Sequence, residues 1–299
     1  MKNLGRVITA MITPFTDQGE VDYEGAVALA KHLIDHGSEG ILVGGTTGEG
    51  AVLSEEEKLA LYKRIVDAVG RYAEGKQVPV MANVGGIDTR ASIEFGKKVE
   101  KLGVDSVLAI APFYVKPTQE GMYQHFKAIA DALAVPVVLY NVPGRTNVTI
   151  SPVTIQRLTK DCPNIVGIKD ATGSWDQVTQ EKCLLPEDFM IYSGDDSFTY
   201  PILSAGGTGV ISVSSHIIGE DMLAMVDAYE KGHVQEAFNL HKKTYPINKG
   251  LFFITSPIPV KTAVNLLGLP GGKFRLPMVD ASESERAHIV QMLKEYGLM

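Results

Sequence analysis

The residue of this chain with the most chemistry to offer is Lys169, at the end of the apolar run Ile165-Val166-Gly167-Ile168. If that run is a strand, its side chains alternate. Ile165, Gly167 and Lys169 then share one face, and Val166, Ile168 and Asp170 share the other. Turned toward a barrel axis, the first face carries Lys169 into the interior above a glycine that leaves it room. Poor solvation there disfavours the ammonium and lowers its pKa from a free value of about 10.4. A neutral amine can attack a keto carbon and form an imine. From the residues alone two other readings stay open. One is a strand-end lysine reaching solvent; the other is a register shifted by one residue, which turns Asp170 inward instead.

Two further segments carry suitable groups. GGTTGEG, residues 44–50, is a glycine-rich loop with two adjacent threonines, Thr46 and Thr47. Glycines let the backbone turn its amides toward an anion. No Lys-Ser/Thr follows the last glycine and the GxGxxG spacing is absent, so a carboxylate is a better guest than a polyphosphate. In YNVPGRT, residues 140–146, Tyr140 ends an apolar run and Arg145 sits in the loop beyond. A phenol near the lysine can carry protons to and from carbinolamine and imine intermediates. Thr47 can link it to bulk water or to another tyrosine. A planar guanidinium can bind a carboxylate bidentately. Each segment alone also reads as a tight turn, a wall tyrosine or a surface arginine; their coincidence points to a site.

The elements that must position these groups alternate along the chain. Short β-branched runs fall at Val7–Ile12, Gly40–Val43, Pro79–Asn83, Ser106–Ile110, Val137–Tyr140, Ile165–Lys169, Met190–Tyr192 and Gly209–Ser212. Helical patterns begin near Asp22, Ser54, Asp88, Thr118, Ser151, Trp175, Ser197 and Ile218. Ser54-Glu-Glu-Glu57 has the form of a capping box. Eight βα units fit a closed (β/α)8 TIM barrel better than an open doubly wound sheet, and all three segments lie at C-terminal strand ends, where barrels place their chemistry. The catalytic barrel is expected over residues 1–232. Residues 233–299 read as a C-terminal helical appendage, with helices at His233–Tyr245, Pro259–Leu267 and Ser282–Tyr296.

The 299 residues, 45% of them hydrophobic, suffice for one large core. A net charge of −7 and the lack of any Lys/Arg-rich block argue against nucleic acid. Lys2 and Arg6 precede an apolar stretch too short for a signal peptide, and no run approaches the ~20 residues of a membrane helix. Cys162 and Cys183 form no CxxC pair, which suits reduced thiols in the cytoplasm. His32 and His36 are four apart but lie outside the apolar face of their helix, so they read as solvated rather than as metal ligands. Asp195 and Asp196 read as a strand-end turn.

The three motifs, with GIKDATG at 167–173 as the third, closely resemble those of the dihydrodipicolinate synthase / N-acetylneuraminate lyase superfamily. The resemblance runs nearly end to end. It includes APFYVKPTQEGMYQHF (111–126), SGDD (193–196), GGTGVISV (206–213) and SPIPVKTAVNLLGLPGGKFRLPM (256–278). Within the superfamily the synthase branch matches best. The resemblance implies condensation of pyruvate with L-aspartate 4-semialdehyde through a Schiff base on Lys169, with no metal or organic cofactor. Tyr140 would donate and accept the proton, and Thr46 would continue the relay to Tyr114, which reaches in from a neighbouring subunit. Thr47, Gly194 and the backbone at Ile211 would hold substrate, and Arg145 would bind the semialdehyde carboxylate. A homotetramer, a dimer of dimers, is implied too. The alternatives are a pyruvate lyase or dehydratase acting on a 2-keto-3-deoxy sugar acid and, from another class, a non-catalytic carboxylate-binding barrel. One departure stands out. Where lysine-inhibited members carry Asn, Glu and Tyr for the effector, this chain has Ile87, Ala91 and Phe113, and apolar groups cannot satisfy an ammonium and a carboxylate. Weak or absent inhibition by lysine is expected.

Overall fold

The computed structural model describes residues 3–69 and 78–299. Lys2, noted above, lies outside the described residues. Among the described residues, eight strands follow the apolar runs closely: β1 (Val7–Ala10), β2 (Gly40–Val43), β3 (Val80–Asn83), β4 (Ser106–Ile110), β5 (Val137–Asn141), β6 (Ile165–Asp170), β7 (Met190–Ser193) and β8 (Gly209–Ser212). All pair in parallel in sequence order, and β8 closes on β1 through Ile8 and Ile211. This is the expected closed barrel.

Side chains of alternate strand positions fill two separate cores. Ile8, Ala10, Leu42, Met81, Leu108, Val138, Tyr140, Tyr192 and Ile211 pack together inside the barrel. Val7, Ile41, Val43, Val80, Val107, Leu139, Ile168 and Ile191 pack outward under the helices. Tyr192 blocks the lower end of the barrel, its hydroxyl donating to the carbonyl of Gly5 at 2.9 Å. The upper, C-terminal end is left for chemistry.

Strand β6 departs from simple alternation. Val137 pairs with Ile165 but Val138 pairs with Gly167, so the register shifts there. The extra residue re-aims the start of the strand. Val166 therefore joins the inner core and Ile165 the outer one, the reverse of the expectation. Beyond the bulge the alternation holds, with Ile168 in the outer core and Lys169 facing the cavity described below.

The helices are α1 (Tyr23–Asp35), α2 (Glu55–Val69), α3 (Thr89–Glu100), α4 (Gln119–Ala132), α5 (Pro143–Thr146), α6 (Pro152–Asp161), α7 (Trp175–Leu184), α8 (Thr199–Ser204), α9 (Ser215–Glu230), α10 (Val234–Gly250), α11 (Ile258–Leu266) and α12 (Glu283–Tyr296). Short polar side chains start most of them by accepting from an orphan amide, as Asp22, Asp88, Thr118, Ser151 and Ser174 do. The capping box at Ser54 is formed in both directions: Ser54 N donates to Glu57 at 2.8 Å and Glu57 N to Ser54 Oγ at 3.2 Å. Three boundaries differ from expectation. The turn α5 had no periodic signal. Helix α9 starts three residues before Ile218, because Ile218 marks a kink rather than a start. Helix α10 runs on through Pro246 to Gly250. His32 and His36 stack on each other with ring centroids 4.0 Å apart. No helix among the described residues is long and apolar enough to cross a membrane.

Residues 233–299 lie against the barrel. Helix α10 packs along α9, and α12 packs on α10 and α11. The segment after α11 returns across the mouth of the barrel, where Arg275 donates to Glu57 at 2.8 Å and to the carbonyls of Val52 and Gly19.

Candidate active site

A cavity of about 560 Å³ opens at the C-terminal end of the barrel. Its walls include Thr46, Tyr140, Arg145 and Lys169, which the sequence singled out, together with Leu42, Leu108 and Ile110 from the strands. Strand order explains the meeting. Tyr140 and Lys169 are register partners on β5 and β6, so both project to the same side at the same height. Lys169 Nζ lies 4.5 Å from the centre of the Tyr140 ring.

Lys169 is 5% exposed. Burial is the largest influence on its amine and lowers the pKa to about 8. The Asp196 carboxylate opposes that shift, and the Arg145 guanidinium adds to it. Of the readings left open for this lysine, the inward one is realised. Asp170 instead faces away from the axis, accepting from the Thr172 amide at 3.0 Å and its hydroxyl at 2.6 Å. Gly167, expected to leave room for the lysine, has another role. A Cβ at Gly167 would meet the Met190 carbonyl oxygen at 2.7 Å, so that glycine serves the close approach of β7. Gly194 lets β7 pass close to the end of β6, since a Cβ there would meet Ala171 Cβ at 2.7 Å, the Asp170 carbonyl oxygen at 3.1 Å and Lys169 Cγ at 3.2 Å.

Thr46 and Tyr140 share the cavity wall. Burial raises the pKa of the phenol; the Arg145 guanidinium and the nearby Thr46 hydroxyl hold that rise in check. A phenol of this kind stays protonated at neutral pH and can donate when a neighbouring oxygen gains charge. Of the two threonines, Thr46 shares the cavity wall with Tyr140, and Thr47 does not line it. Thr47 is buried, 5% exposed, one position along the loop.

The loop reaches this position because of its glycines and Tyr62. Gly44 has φ +65°, and a Cβ there would fall 1.9 Å from the Tyr62 hydroxyl. Only glycine fits. Tyr62 is held in turn by donating to the Asn83 carbonyl at 3.0 Å.

Arg145 sits on the short turn α5 and donates to the Ser256 carbonyl at 3.2 Å. Ser256, Pro257, Pro277 and Met278 complete the cavity rim. These residues were missed as site residues, since the region after 233 was read as an appendage. The available signal was Lys261, a charge set among the apolar residues of α11. Asp196 was also undervalued. It is 1% exposed and accepts from the Val213 amide at 2.9 Å, the Ser214 amide at 3.1 Å and the Ser212 hydroxyl. It thus places the end of β8 while acting as the acidic group near Lys169.

Ile211 is buried on β8 in the inner core. Tyr114 is not brought to the other groups within this chain. It is 87% exposed and held at φ +67°, an uncommon backbone conformation for an aromatic residue. Ile87, Ala91 and Phe113 do meet, in a neighbouring hollow of about 380 Å³. Charged groups border it as well. Asp88 already caps α3, Glu55 is bridged to Lys98, and Lys58 lies over the Phe95 ring at 5.7 Å.

Residues 3–296 match the model of the dihydrodipicolinate synthetase family. The 4-hydroxy-tetrahydrodipicolinate synthase of Heliobacterium modesticaldum is 50% identical over 294 residues, 98% of this chain and 96% of the relative. The crystal structure of a dihydrodipicolinate synthase from Bacillus anthracis superposes with a TM-score of 0.94 at 44% identity, over 98% of this chain and 99% of that one. The enzyme from Cyanidioschyzon merolae, solved with lysine bound, superposes with a TM-score of 0.95 at 42% identity over 99% of both chains.

Proposed function

The chain belongs to the dihydrodipicolinate synthetase family, and from that premise we propose that it condenses pyruvate with L-aspartate 4-semialdehyde to 4-hydroxy-tetrahydrodipicolinate. The enzyme is a lyase of the Schiff-base type. The observation that carries this reading is the buried amine of Lys169, lowered to about 8, beside the Tyr140 phenol in the barrel mouth.

The neutral amine of Lys169 adds to C2 of pyruvate. Tyr140 gives a proton to the oxygen as it leaves as water, and the iminium remains. Loss of a proton from C3 gives an enamine, which attacks the aldehyde carbon of the semialdehyde. The amino group of that substrate then adds to the imine carbon and displaces Lys169, closing the ring and freeing the amine. One water is lost in all. No metal or organic cofactor is called for, because the protonated imine is itself the electron sink. Thr46 holds the phenol and relays its proton. Thr47, Gly194 and the Ile211 backbone hold pyruvate, and Arg145 at the rim takes the semialdehyde carboxylate bidentately.

The relay continues to Tyr114 of a neighbouring copy in a homotetramer built as a dimer of dimers. An exposed tyrosine in a costly backbone conformation supports this, since such strain persists where surroundings determine it. The free thiols of Cys162 and Cys183 support a cytoplasmic setting.

Borohydride reduction with pyruvate, read by intact mass and peptide mapping, tests the chemistry. A pyruvyl adduct at Lys169 with turnover of the semialdehyde is expected. An adduct without that turnover moves the second substrate to a keto-sugar acid. No adduct overturns the Schiff base.

A further inference from the structure

We infer that Glu49 and Lys261 are positioning residues for the pyruvate half-reaction: a buried ion pair that fixes the 44–50 loop, and through it Thr46 and Tyr140. The inference rests on the synthase reading above.

The pair is dry. Lys261 Nζ donates to Glu49 Oε1 at 2.6 Å, and the side chains are 0% and 2% exposed. The same ammonium donates to the Thr13 carbonyl at 2.8 Å and lies 4.4 Å and 4.8 Å from the Phe15 and Phe274 ring centres. The other Glu49 oxygen accepts from the Arg275 amide at 3.2 Å. The contacts thus tie the 44–50 loop to the loop after β1, to helix α11 and to the segment that crosses the barrel mouth.

Such a pair is an expensive way to gain stability. Removing two charges from water offsets most of their attraction, and an apolar pair of similar volume often folds as well or better. What an ion pair supplies and an apolar pair does not is a fixed direction. Glu49 needs one. It has φ +51°, an uncommon conformation for a residue with a Cβ. Its amide donates to the Thr46 carbonyl at 3.1 Å, and Thr13 Oγ1 donates to the Gly48 carbonyl at 2.7 Å. From Lys261 the hydrogen bonds run through Glu49 to the Thr46 carbonyl, and Thr46 lines the cavity together with Tyr140 and Lys169. Glu49 also borders the cavity, where its pairing masks a negative charge that would otherwise face an incoming keto acid.

The test compares Lys261→Met, Glu49→Gln and the double variant in the full chain. Lys261→Met leaves a buried carboxylate unpaired and lowers the melting temperature. The double variant removes both charges and regains most of that loss. If the pair positions the loop, stability and activity part company. The double variant keeps a pyruvate kcat/KM lowered roughly 10- to 100-fold, the scale set by small misplacements of reacting groups. Its KM for the semialdehyde stays within about threefold of wild type, because the rim contact to Arg145 is untouched. Adduct formation at Lys169 slows in parallel. A double variant that recovers pyruvate kcat/KM together with its melting temperature makes the pair merely structural and overturns the inference, as does an equal loss toward both substrates. Should the double variant not fold, Glu49→Gln decides, since it keeps the shape and an acceptor. A loss of about fivefold or more in pyruvate kcat/KM upholds positioning, and a wild-type value refutes it. Wild type trapped alongside separates the two levels: a wild type that forms no adduct sinks the synthase reading itself, whereas variants trapping at the wild-type rate sink only the positioning role.

Discussion

The pH dependence of adduct formation reports directly on the burial of Lys169. With a pKa of about 8, roughly one lysine in ten is neutral at pH 7; at an ordinary 10.5 it would be about one in three thousand. The shift, mostly due to burial, therefore raises the reactive fraction by a few hundred-fold at neutral pH, worth about 3 kcal/mol of the barrier to attack. The shift also destabilises the fold. Between about pH 8 and 10.5 the unfolded chain holds a proton on this amine that the folded chain has released. The penalty is thus fully present below pH 8 and is relieved as pH rises through that window. Cyanoborohydride trapping at sub-saturating pyruvate, followed by intact mass across pH 6 to 11, gives the profile. The rate should rise tenfold per pH unit at first and reach half its plateau near pH 8. Arg145→Ala removes a cation that depresses the pKa and should displace the midpoint upward. Arg145 is exposed, so the fold should survive the change. A wild-type midpoint near 10.5 would show a solvated lysine and refute the argument, and a midpoint unmoved in Arg145→Ala would remove that guanidinium from the electrostatics of the site.

Tyr140→Phe should retain the fold, lower kcat by roughly 10²- to 10³-fold and still yield a trapped adduct at Lys169; a kcat near wild type in steady-state assays would take the proton-transfer role away from the phenol. Millimolar lysine should leave initial rates unchanged, because Ile87, Ala91 and Phe113 offer the effector no partner and Glu55 and Asp88 are already engaged; strong suppression would mean that Lys58 and its neighbours rearrange to receive it. Glu181, fully buried with one carboxyl oxygen unpartnered, is held well above the usual carboxylate range by burial and by the nearby Asp170 charge. It keeps its proton on folding where the unfolded chain has lost it, so stability should fall as pH rises from about 4.5 toward neutrality, by at most about 1.4 kcal/mol per pH unit. Urea denaturation of wild type against Glu181→Gln over that range measures the difference, and parallel curves would contradict it.

What the sequence discloses and what it conceals divide along one physical line. Strand ends, helix starts and the three site motifs are decided by residues within a few positions of one another. Alternation, β-branched runs and capping side chains are therefore enough to read them, and Lys169, Tyr140, Thr46 and Arg145 converge as expected. Within that reach the turn α5, the start of α9 and the end of α10 still differ from expectation, and so does the alternation of β6. A bulge is an extra residue whose necessity lies in the neighbouring strand: Val138 pairs with Gly167, and nothing in β6 itself signals it. The larger omission was the C-terminal region. It looks like an appendage because its helices are ordinary, yet it closes the mouth with Ser256, Pro257, Pro277 and Met278. Its tie to the site joins Lys261 to Glu49, 212 residues earlier. No periodicity spans such a distance. A lysine on an apolar helix and a glutamate in a glycine loop each look locally inconsistent, and such inconsistency is itself a signal, since charges placed against burial must find each other. The pairing of misplaced opposite charges is thus the one long-range contact in this site that the sequence could have suggested, and it is the contact whose removal most directly tests how the catalytic loop is held.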